Sequence, residues 1–237
     1  MGLCVSKSSA SDFISTDMGG VDGSASTWSS SKSWSGVVSN IRNPDDDGRV
    51  ESLINMVGMI YDASKTLRER INRISQEGGV SLRIVPDDNI VQSFGHAEAR
   101  LSRREAVIAE STAQGIKGNH FRPLNIILVE LTNMSRTKEF QPIIAKYMQG
   151  YAGMERTAHD AERIEYQTTQ DMGRYYKEAR SVIQQLDYGS PSLWYLHESG
   201  EAFYPTFEHY FRAMCETGHM DAYRNNLQRY RDEQYSP

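Results

Sequence analysis

Apolar side chains recur at alternating intervals of three and four residues along two long stretches of this chain, and this spacing limits the fold more than any other feature. Residues three or four apart lie on the same side of an α-helix, so the spacing is that of one buried helical face. The first stretch runs from Leu53 to Ile74 and the second from Ala158 to Leu186. This spacing predicts one helix of about 25 residues in the first stretch. In the second stretch it predicts another long helix, from about Met154 to Leu186.

Shorter segments between these two helices alternate between apolar and polar residues, as half-buried strands do. Residues 80–85 show this pattern after a Gly-Gly pair, and residues 105–110 are a candidate edge strand. Pro123 then stands at a first helical position, a place that proline favours, and apolar residues follow at helical spacing to Met134. The predicted fold class is therefore α+β, mostly helical with a small sheet.

The first 47 residues differ in composition from everything that follows. Serine is frequent there, long aliphatic side chains are few and charge is low. Such a segment cannot bury enough apolar surface to offset the entropy of ordering, so the composition predicts a disordered Ser-rich tail. We therefore divide the chain into a tail, residues 1–47, and a single folded domain, residues 48–237.

Charge and cysteine content exclude several functional classes. The net charge of −5 argues against nucleic acid as a partner, because proteins that cover phosphates present a basic face. The two cysteines, Cys4 and Cys215, supply neither a disulfide framework nor a cysteine-based zinc site. The longest apolar run, Ile126 to Val129, falls far short of the ~20 residues of a transmembrane helix. No phosphate-binding glycine loop is present, so no cofactor is predicted, and the oligomeric state is left open.

The first seven residues, Met-Gly-Leu-Cys-Val-Ser-Lys, carry a pattern for lipid attachment. Removal of Met1 exposes Gly2, and Ser6 stands where N-myristoylation needs Ser or Thr. Cys4 is placed for a second, thioester-linked chain. Because one myristoyl chain holds a protein on a bilayer only marginally, stable anchoring needs such a second signal. The pattern predicts myristate on Gly2, palmitate on Cys4 and hence a membrane as a partner.

Two carboxylates are the candidates for chemistry in the folded domain. Glu130 lies in the predicted helix that begins at Pro123, and Glu165 falls on the apolar stripe of the later long helix. The alternative for Glu130 is the polar side of an amphipathic helix. The alternative for Glu165 is a structural ion pair with an arginine, because a buried carboxylate must be paired or hydrogen-bonded. Buried carboxylates also occur in functional sites, so both interpretations stay open.

Cys215 and His219 are a further candidate pair. They stand four residues apart, a spacing that places a thiol beside an imidazole on one helix, as nucleophilic catalysis requires. Gly218 directly precedes His219 and is typical of a helix end, which argues against the pair.

Val129, Glu130 and Asn133 occupy the first, second and fifth places of a five-residue helical segment. In zincins these places hold His, Glu and His, where the two imidazoles bind zinc and the glutamate is the general base. Val129 has no ligand atom and the amide of Asn133 is a poor zinc ligand, so neither a metal nor zinc-peptidase activity is predicted. The order of elements over residues 50–186 nonetheless resembles that of the short zinc-peptidase effectors of enteric and plant-pathogenic bacteria. This resemblance implies a zincin-like fold, with Glu130 at the place of the catalytic base and Glu165 on the helix of the third metal ligand.

Residues 1–7 and the serine-rich stretch to about residue 40 resemble the start of lipidated type III secreted effectors of plant-pathogenic bacteria, of the Pseudomonas and Xanthomonas type. The resemblance implies a virulence protein that is secreted into the plant cell, lipidated there and held at the cytoplasmic face of the host plasma membrane. Its expected activity is to interfere with immune signalling, or to be sensed by it, through binding of a host immune protein. Two alternatives remain. One is an enzyme, a protease, deamidase or transferase, that covalently modifies a host immune regulator, and the other is a eukaryotic or viral lipid-anchored adaptor.

Overall fold

The computed structural model describes residues 33–90, 96–114 and 122–235, which form a mostly helical α+β fold. Its strands are β1 (Ile41–Arg42), β2 (Val80–Val85), β3 (Ala97–Arg100) and β4 (Glu105–Ala109). Its α-helices are α1 (Gly48–Ala63), α2 (Lys65–Gln76), α3 (Glu110–Ala113), α4 (Pro123–Met134), α5 (Thr137–Met148), α6 (Met154–Glu178), α7 (Arg180–Gln185), α8 (Phe207–Glu216) and α9 (His219–Tyr235). Of the helices in this described part, none has the length and apolar character needed to cross a membrane.

The four strands form one mixed sheet in the order β1-β2-β4-β3. The first three strands of this order are parallel, and β3 runs antiparallel to β4 with Arg100 opposite Glu105. The strands predicted at residues 80–85 and 105–110 are confirmed, but the second lies inside the sheet and β3 forms the edge. The sequence did not predict β3, because its two alanines, glutamate and arginine lack the branched and aromatic residues that signal a strand.

Both long helices predicted from spacing are interrupted. Ser64 has extended backbone angles, φ −111° and ψ 116°, and its hydroxyl caps α2 by accepting a hydrogen bond from the Leu67 N–H. The same hydroxyl donates to the carboxylate of Glu178 over 2.6 Å. A serine on an apolar stripe leaves the spacing intact, yet its side chain can replace a backbone partner and begin a new helix. The helix predicted to reach Leu186 ends at Glu178 instead, and Ala179 separates it from α7.

Helix α4 lies at the centre of the fold. It packs against β3 and β4 on one side and against α1, α2 and α6 on others. Pro123 begins the helix, as predicted, and every residue from Leu124 to Met134 is buried. Because this helix has no solvated side, the interpretation of Glu130 as part of a polar outer face is wrong.

The chain enters the fold before the boundary drawn from composition. Val37 and Ile41 are buried in the core, and β1 pairs in parallel with β2. Trp34 packs over α1 at Gly58, where a Cβ atom would overlap the indole ring. These residues precede position 48, where the sequence placed the start of the domain, and their burial adds them to the folded part.

Asp171 on α6 is the centre of a group of arginines, which we call the Asp171 network. Its buried carboxylate accepts hydrogen bonds from Arg70 at 2.8 Å, Arg136 at 2.7 Å and Arg174 at 3.0 Å. Arg136, at the junction of α4 and α5, is itself buried and also donates to Gln167 at 2.6 Å. Each buried charge has an opposite charge beside it, so the network joins α2, the α4–α5 junction and α6 as a structural element.

Candidate functional site

A second group of buried ionisable side chains lies on α6, nearer its N-terminus. Glu162 and Glu165 are three residues apart and share one face of the helix, and His219 is the first residue of α9. His219 Nδ1 lies 2.6 Å from Glu162 Oε1, and His219 Nε2 lies 4.0 Å from Glu165 Oε2. The exposed fractions of Glu162, Glu165 and His219 are 0%, 4% and 3%. We call these three residues the Glu-His cluster.

The two C-terminal helices bring His219 to this place. Gly218 joins α8 to α9 with a φ of +77°, a backbone region that favours glycine. Both helices pack against α6 and against each other. His219 therefore begins α9 directly after the turn, against the face of α6 that carries the two glutamates.

Two tyrosine hydroxyls hold the remaining oxygens of the two glutamates. Tyr210 on α8 donates to Glu162 Oε2 at 2.9 Å, and Tyr223 on α9 donates to Glu165 Oε1 at 2.7 Å. An ionised carboxylate can only accept hydrogen bonds, so when Glu162 is ionised the proton of its bond to His219 lies on Nδ1. Each glutamate is thus oriented by one tyrosine, and the imidazole lies between the two carboxylates.

The Glu-His cluster forms part of the wall of a cavity of about 300 Å³. Glu165 and His219 line this cavity, whereas Glu162 does not. Glu162 therefore influences the cavity only by orienting the imidazole of His219, to which it is hydrogen-bonded. Its volume is near the lower end of the range for small-molecule sites, about 300–1,000 Å³, which is enough for one side chain or a small ligand. Other lining residues are Val129, Tyr195, Tyr204 and Tyr210.

Tyr195 has an unusual backbone conformation for a residue in this wall. Its φ of 58° and ψ of 36° place it in the left-handed region, which costs a residue other than glycine about 1–3 kcal/mol. Burial, and next the charge of Glu165, raise the pKa of its hydroxyl well above the ordinary value. Backbone strain of this kind concentrates at ligand sites, and here it fixes an aromatic ring against the cavity.

Glu130 lies in the same electrostatic environment, next to Val129 on α4. Its side chain is fully buried, and neither carboxylate oxygen meets the geometry of a hydrogen bond to a described residue, although the Ala99 backbone on β3 is close enough to lower the pKa by a smaller amount. Burial, and next the charge of Glu165, raise the pKa of Glu130 well above its ordinary value. Burial also raises the pKa of Glu165, although the positive charge of His219 opposes this shift. Glu130 therefore favours its protonated form.

This arrangement has two chemical capacities. An imidazole whose Nδ1 is held by a carboxylate is suited to act as a general base through its other nitrogen. Carboxylate oxygens and imidazole nitrogens are also metal ligands, and one such atom from each of Glu162, Glu165 and His219 lies within 4.8 Å of the others.

The predicted site residues have different positions in the structure. Gly2 and Cys4, the lipidation residues, lie outside the described part of the chain. Glu165 is buried as expected, but its partners in the described residues are Tyr223 and His219 rather than an arginine. Asn133, at the second zincin histidine position, accepts a hydrogen bond from the Thr168 hydroxyl at 2.7 Å.

The candidate pair of Cys215 and His219 is not assembled as a catalytic dyad. Cys215 is exposed near the end of α8 and does not line the cavity. His219 is buried on α9 and bonded to Glu162. The glycine between the two helices marks a helix end, as the sequence indicated.

Three residues of the site were missed by sequence reasoning. Glu162 had a usable signal, because it stands three residues before Glu165 and so on the same helical face. Tyr210 and Tyr223 had none, since they are two of many aromatic residues in the C-terminal segment. Only the packing of α8 and α9 on α6 shows which hydroxyls reach a carboxylate.

Comparison with protein families, with curated proteins and with solved structures finds no match in any of the three. A fold by itself would in any case not give a function, so the function is argued from the residues of the site.

Proposed function

We propose that this chain is a bacterial type III effector that is delivered into plant cells, anchored by lipids at the cytoplasmic face of the host plasma membrane, and directed there at a host immune protein. The residues Gly2, Cys4 and Ser6 support the lipid anchor, because they meet the pattern for two acyl chains. The serine-rich stretch that follows supports export by a secretion system.

The bond between Glu162 and His219 is the observation that favours an enzyme over a binding module. A carboxylate that accepts the Nδ1 proton fixes the tautomer and stabilises the imidazolium that forms when the other nitrogen takes a proton. Burial also raises the pKa values of Glu130 and Glu165, and buried carboxylates with shifted pKa values are concentrated at active sites. We therefore assign His219 the role of general base and Glu162 the role of its positioning residue.

Hydrolysis of an amide on the host protein is the reaction that this site fits with water as the only co-reactant. Water would add to the carbonyl carbon while His219 takes its proton, and the C–N bond would then break as the imidazolium returns that proton to the leaving nitrogen. The cavity of about 300 Å³ admits one side chain rather than an extended peptide, which favours a side-chain amide and hence deamidation.

A zincin-like layout is part of this proposal. It is supported by the order in which α4 with Glu130 and α6 with Glu165 follow the sheet, although the strand expected at the edge, residues 105–110, lies inside the sheet. Val129 lines the cavity with an apolar side chain, and the amide of Asn133 bonds to Thr168, so the zinc motif itself is replaced. Chemistry of the usual zinc-peptidase kind is therefore not proposed.

A binding module is the second candidate, and the aromatic wall of the cavity favours it. Tyr195, Tyr204 and Tyr210 line one small space, and aromatic residues of this type often receive the anchor side chain of a partner. In this case the Glu-His cluster would orient a ligand without transferring a proton.

The location is tested by expressing the chain in leaf cells, wild type beside Gly2→Ala. We expect wild type in the membrane fraction together with an immune or cell-death response, and Gly2→Ala in the soluble fraction without that response. Equal fractionation of the two forms would contradict the lipid anchor. Translocation of a reporter fusion through a type III system separates an effector from a eukaryotic or viral adaptor.

The chemistry is tested in the same tissue with His219→Gln, and His197→Gln is the matched control because His197 is exposed and outside the cavity lining. We expect His219→Gln to stay at the membrane and lose the response, while the control keeps it. Mass spectrometry of host membrane proteins should show a gain of about one mass unit at an amide side chain with wild type only, the change that deamidation produces. A folded His219→Gln that keeps the full response would leave only the binding module.

A further inference from the structure

We propose that Glu165 and His219, with Glu162 as the positioning residue, bind one divalent transition-metal ion at the wall of the cavity. For the role of the ion, this inference rests on the proposed hydrolysis at the same site and changes one role in it. An ion on His219 Nε2 occupies the lone pair that a general base needs, so with the ion bound, the ion and not the imidazole would activate the water. The presence of the site stands on geometry and charge and not on the hydrolysis.

The distances indicate which atoms would contact the ion. Glu162 Oε1 and His219 Nδ1 are 2.6 Å apart, so they are hydrogen-bonded to each other and are too close to bind one ion together. His219 Nε2 and Glu165 Oε2 are 4.0 Å apart on the other side of the ring. With metal–ligand bonds of about 2.0–2.2 Å, a tetrahedral ion between these two atoms requires them to approach by roughly half an ångström.

Contacts around the two ligands match the support that metal sites need. Metal-binding histidines usually donate their second ring N–H to a carboxylate, which fixes the tautomer and orients the ring, and Glu162 is placed to accept that proton. Metal-binding carboxylates are in turn hydrogen-bonded, as Glu165 is by the Tyr223 hydroxyl at 2.7 Å. Tyr210 holds Glu162 in the same way.

The charge of the region gives a second, independent reason for a cation. Glu162 and Glu165 are buried together, and none of their partners in the described part of the chain is a lysine or an arginine. Among these residues the two carboxylates face one imidazole, that of His219. Buried carboxylates without enough compensating charge are costly, and a divalent ion beside Glu165 would offset their negative charge.

The cavity leaves room for further ligands on the ion. Glu165 and His219 both line its wall, so water or a substrate oxygen can reach the space next to them. Catalytic metal sites usually have three protein ligands and an open position, whereas structural metals are enclosed by four protein ligands. The two ligands here are one fewer, so water or substrate would fill the remaining positions. Mixed carboxylate and imidazole ligands favour Zn²⁺, Mn²⁺, Fe²⁺ or Co²⁺ over Mg²⁺ and Ca²⁺, which prefer oxygen alone.

The test is a titration of the full-length, untagged protein with Zn²⁺ by calorimetry after removal of metals with a chelator. We expect one ion per chain. His219→Gln and Glu165→Gln should each weaken binding by at least about 100-fold, and Tyr223→Phe by about 10–100-fold because it removes only the outer hydrogen bond. His197→Gln should bind like wild type, since its side chain is exposed and outside the site.

Co²⁺ used as a spectroscopic probe tests whether a cysteine is among the ligands. Thiolate ligands add a near-ultraviolet charge-transfer band, so its absence shows that neither Cys4 nor Cys215 holds the ion. Circular dichroism shows which variants fold. If His219→Gln and Glu165→Gln do not fold, the affinity of Tyr223→Phe for Zn²⁺ still decides the test. No uptake by folded wild type, or equal uptake by wild type and the folded variants of the site, would overturn the inference.

The outcomes also separate this inference from the proposed function. If the protein takes up no ion while His219→Gln abolishes deamidation, the metal site is wrong and the general-base role stands. If the ion binds as expected and folded His219→Gln keeps the full leaf response, the metal site stands and the proposed enzymatic role is wrong.

Discussion

Two groups of buried charges lie on the same helix, α6, and they are built on opposite principles. In the Asp171 network, one carboxylate accepts hydrogen bonds from Arg70, Arg136 and Arg174, so positive charge surrounds it. In the Glu-His cluster, two carboxylates share a single imidazole and are otherwise held by neutral tyrosine hydroxyls.

The difference lies in the surroundings of the two groups. The Asp171 network joins three parts of the core, and each of its charges lies beside an opposite charge. The Glu-His cluster holds two carboxylates against one imidazole and borders a cavity. A buried group in which every charge is paired is expected to stabilise one structure, whereas a group with excess negative charge keeps a capacity for protons, metal ions or a ligand.

The largest effect is expected from Asp171→Ala, which removes the central carboxylate of the Asp171 network. It leaves Arg136, whose side chain is 5% exposed, without its buried partner. Removal of one member of a buried pair typically destabilises a protein by about 3–5 kcal/mol, so we expect a loss of that size in urea unfolding. Asp160→Ala is the control, because its ion pair with Arg156 is exposed, and it should change the free energy of unfolding by less than about 0.5 kcal/mol. If the two variants lost similar amounts of unfolding free energy, the Asp171 network would have no special structural role.

A smaller effect, and a stabilising one, is expected from Glu130→Gln, next to the Glu-His cluster. The pKa of Glu130 is higher in the folded than in the unfolded protein, so as the pH rises above about 4.5 the unfolded state releases this proton first. Stability then falls, by up to about 1.4 kcal/mol per pH unit for one proton, until the folded pKa is passed. The neutral amide of the variant does not titrate, so Glu130→Gln should be more stable than wild type at pH 8 and lose less stability from pH 5 to pH 8.

Urea unfolding in the presence of a chelator measures this difference without a contribution from bound metal. Glu198→Gln is the matched control, because its side chain is exposed, and its pH dependence should equal that of wild type. A Glu130→Gln variant that is less stable than wild type at pH 8 would mean that the carboxylate has a stabilising partner in the folded state.

No effect is expected from Cys215→Ser, the smallest change. The thiol is exposed and does not line the cavity. The imidazole of His219 is buried and hydrogen-bonded to Glu162. Zn²⁺ affinity and the leaf response should both equal those of wild type. Loss of Zn²⁺ affinity or of the leaf response would show that Cys215 belongs to the site. The Glu-His cluster would then not account for the site by itself.

The sequence predicts most of the elements of this fold because helical spacing and strand alternation are local signals. The helix at Pro123 and the strand of residues 80–85 follow from such patterns. Local spacing does not show where a helix is interrupted, since Ser64 preserves the apolar stripe while its hydroxyl bonds to Glu178 from a distant part of the chain. The edge strand β3 was missed because its short side chains do not signal a strand and its pairing with β4 is set by the sheet.

The site was predictable in part. Glu165 stood out as a carboxylate on an apolar stripe, and Glu130 was singled out by its place in a motif. Their burial next to each other depends on the packing of α4 on α6, which no local pattern contains. The role of His219 could not be predicted, because its partner Glu162 is 57 positions away in the chain.

The C-terminal helices supply one complete side of the Glu-His cluster. His219 and the two tyrosine hydroxyls that hold its glutamates all follow residue 206, whereas both glutamates precede it. In genetic terms, a nonsense codon early in α8 would delete the imidazole and both hydroxyls at once and leave two buried glutamates uncovered. A single frameshift at this point would therefore remove one side of the site while the reading frame of the central helices stays intact.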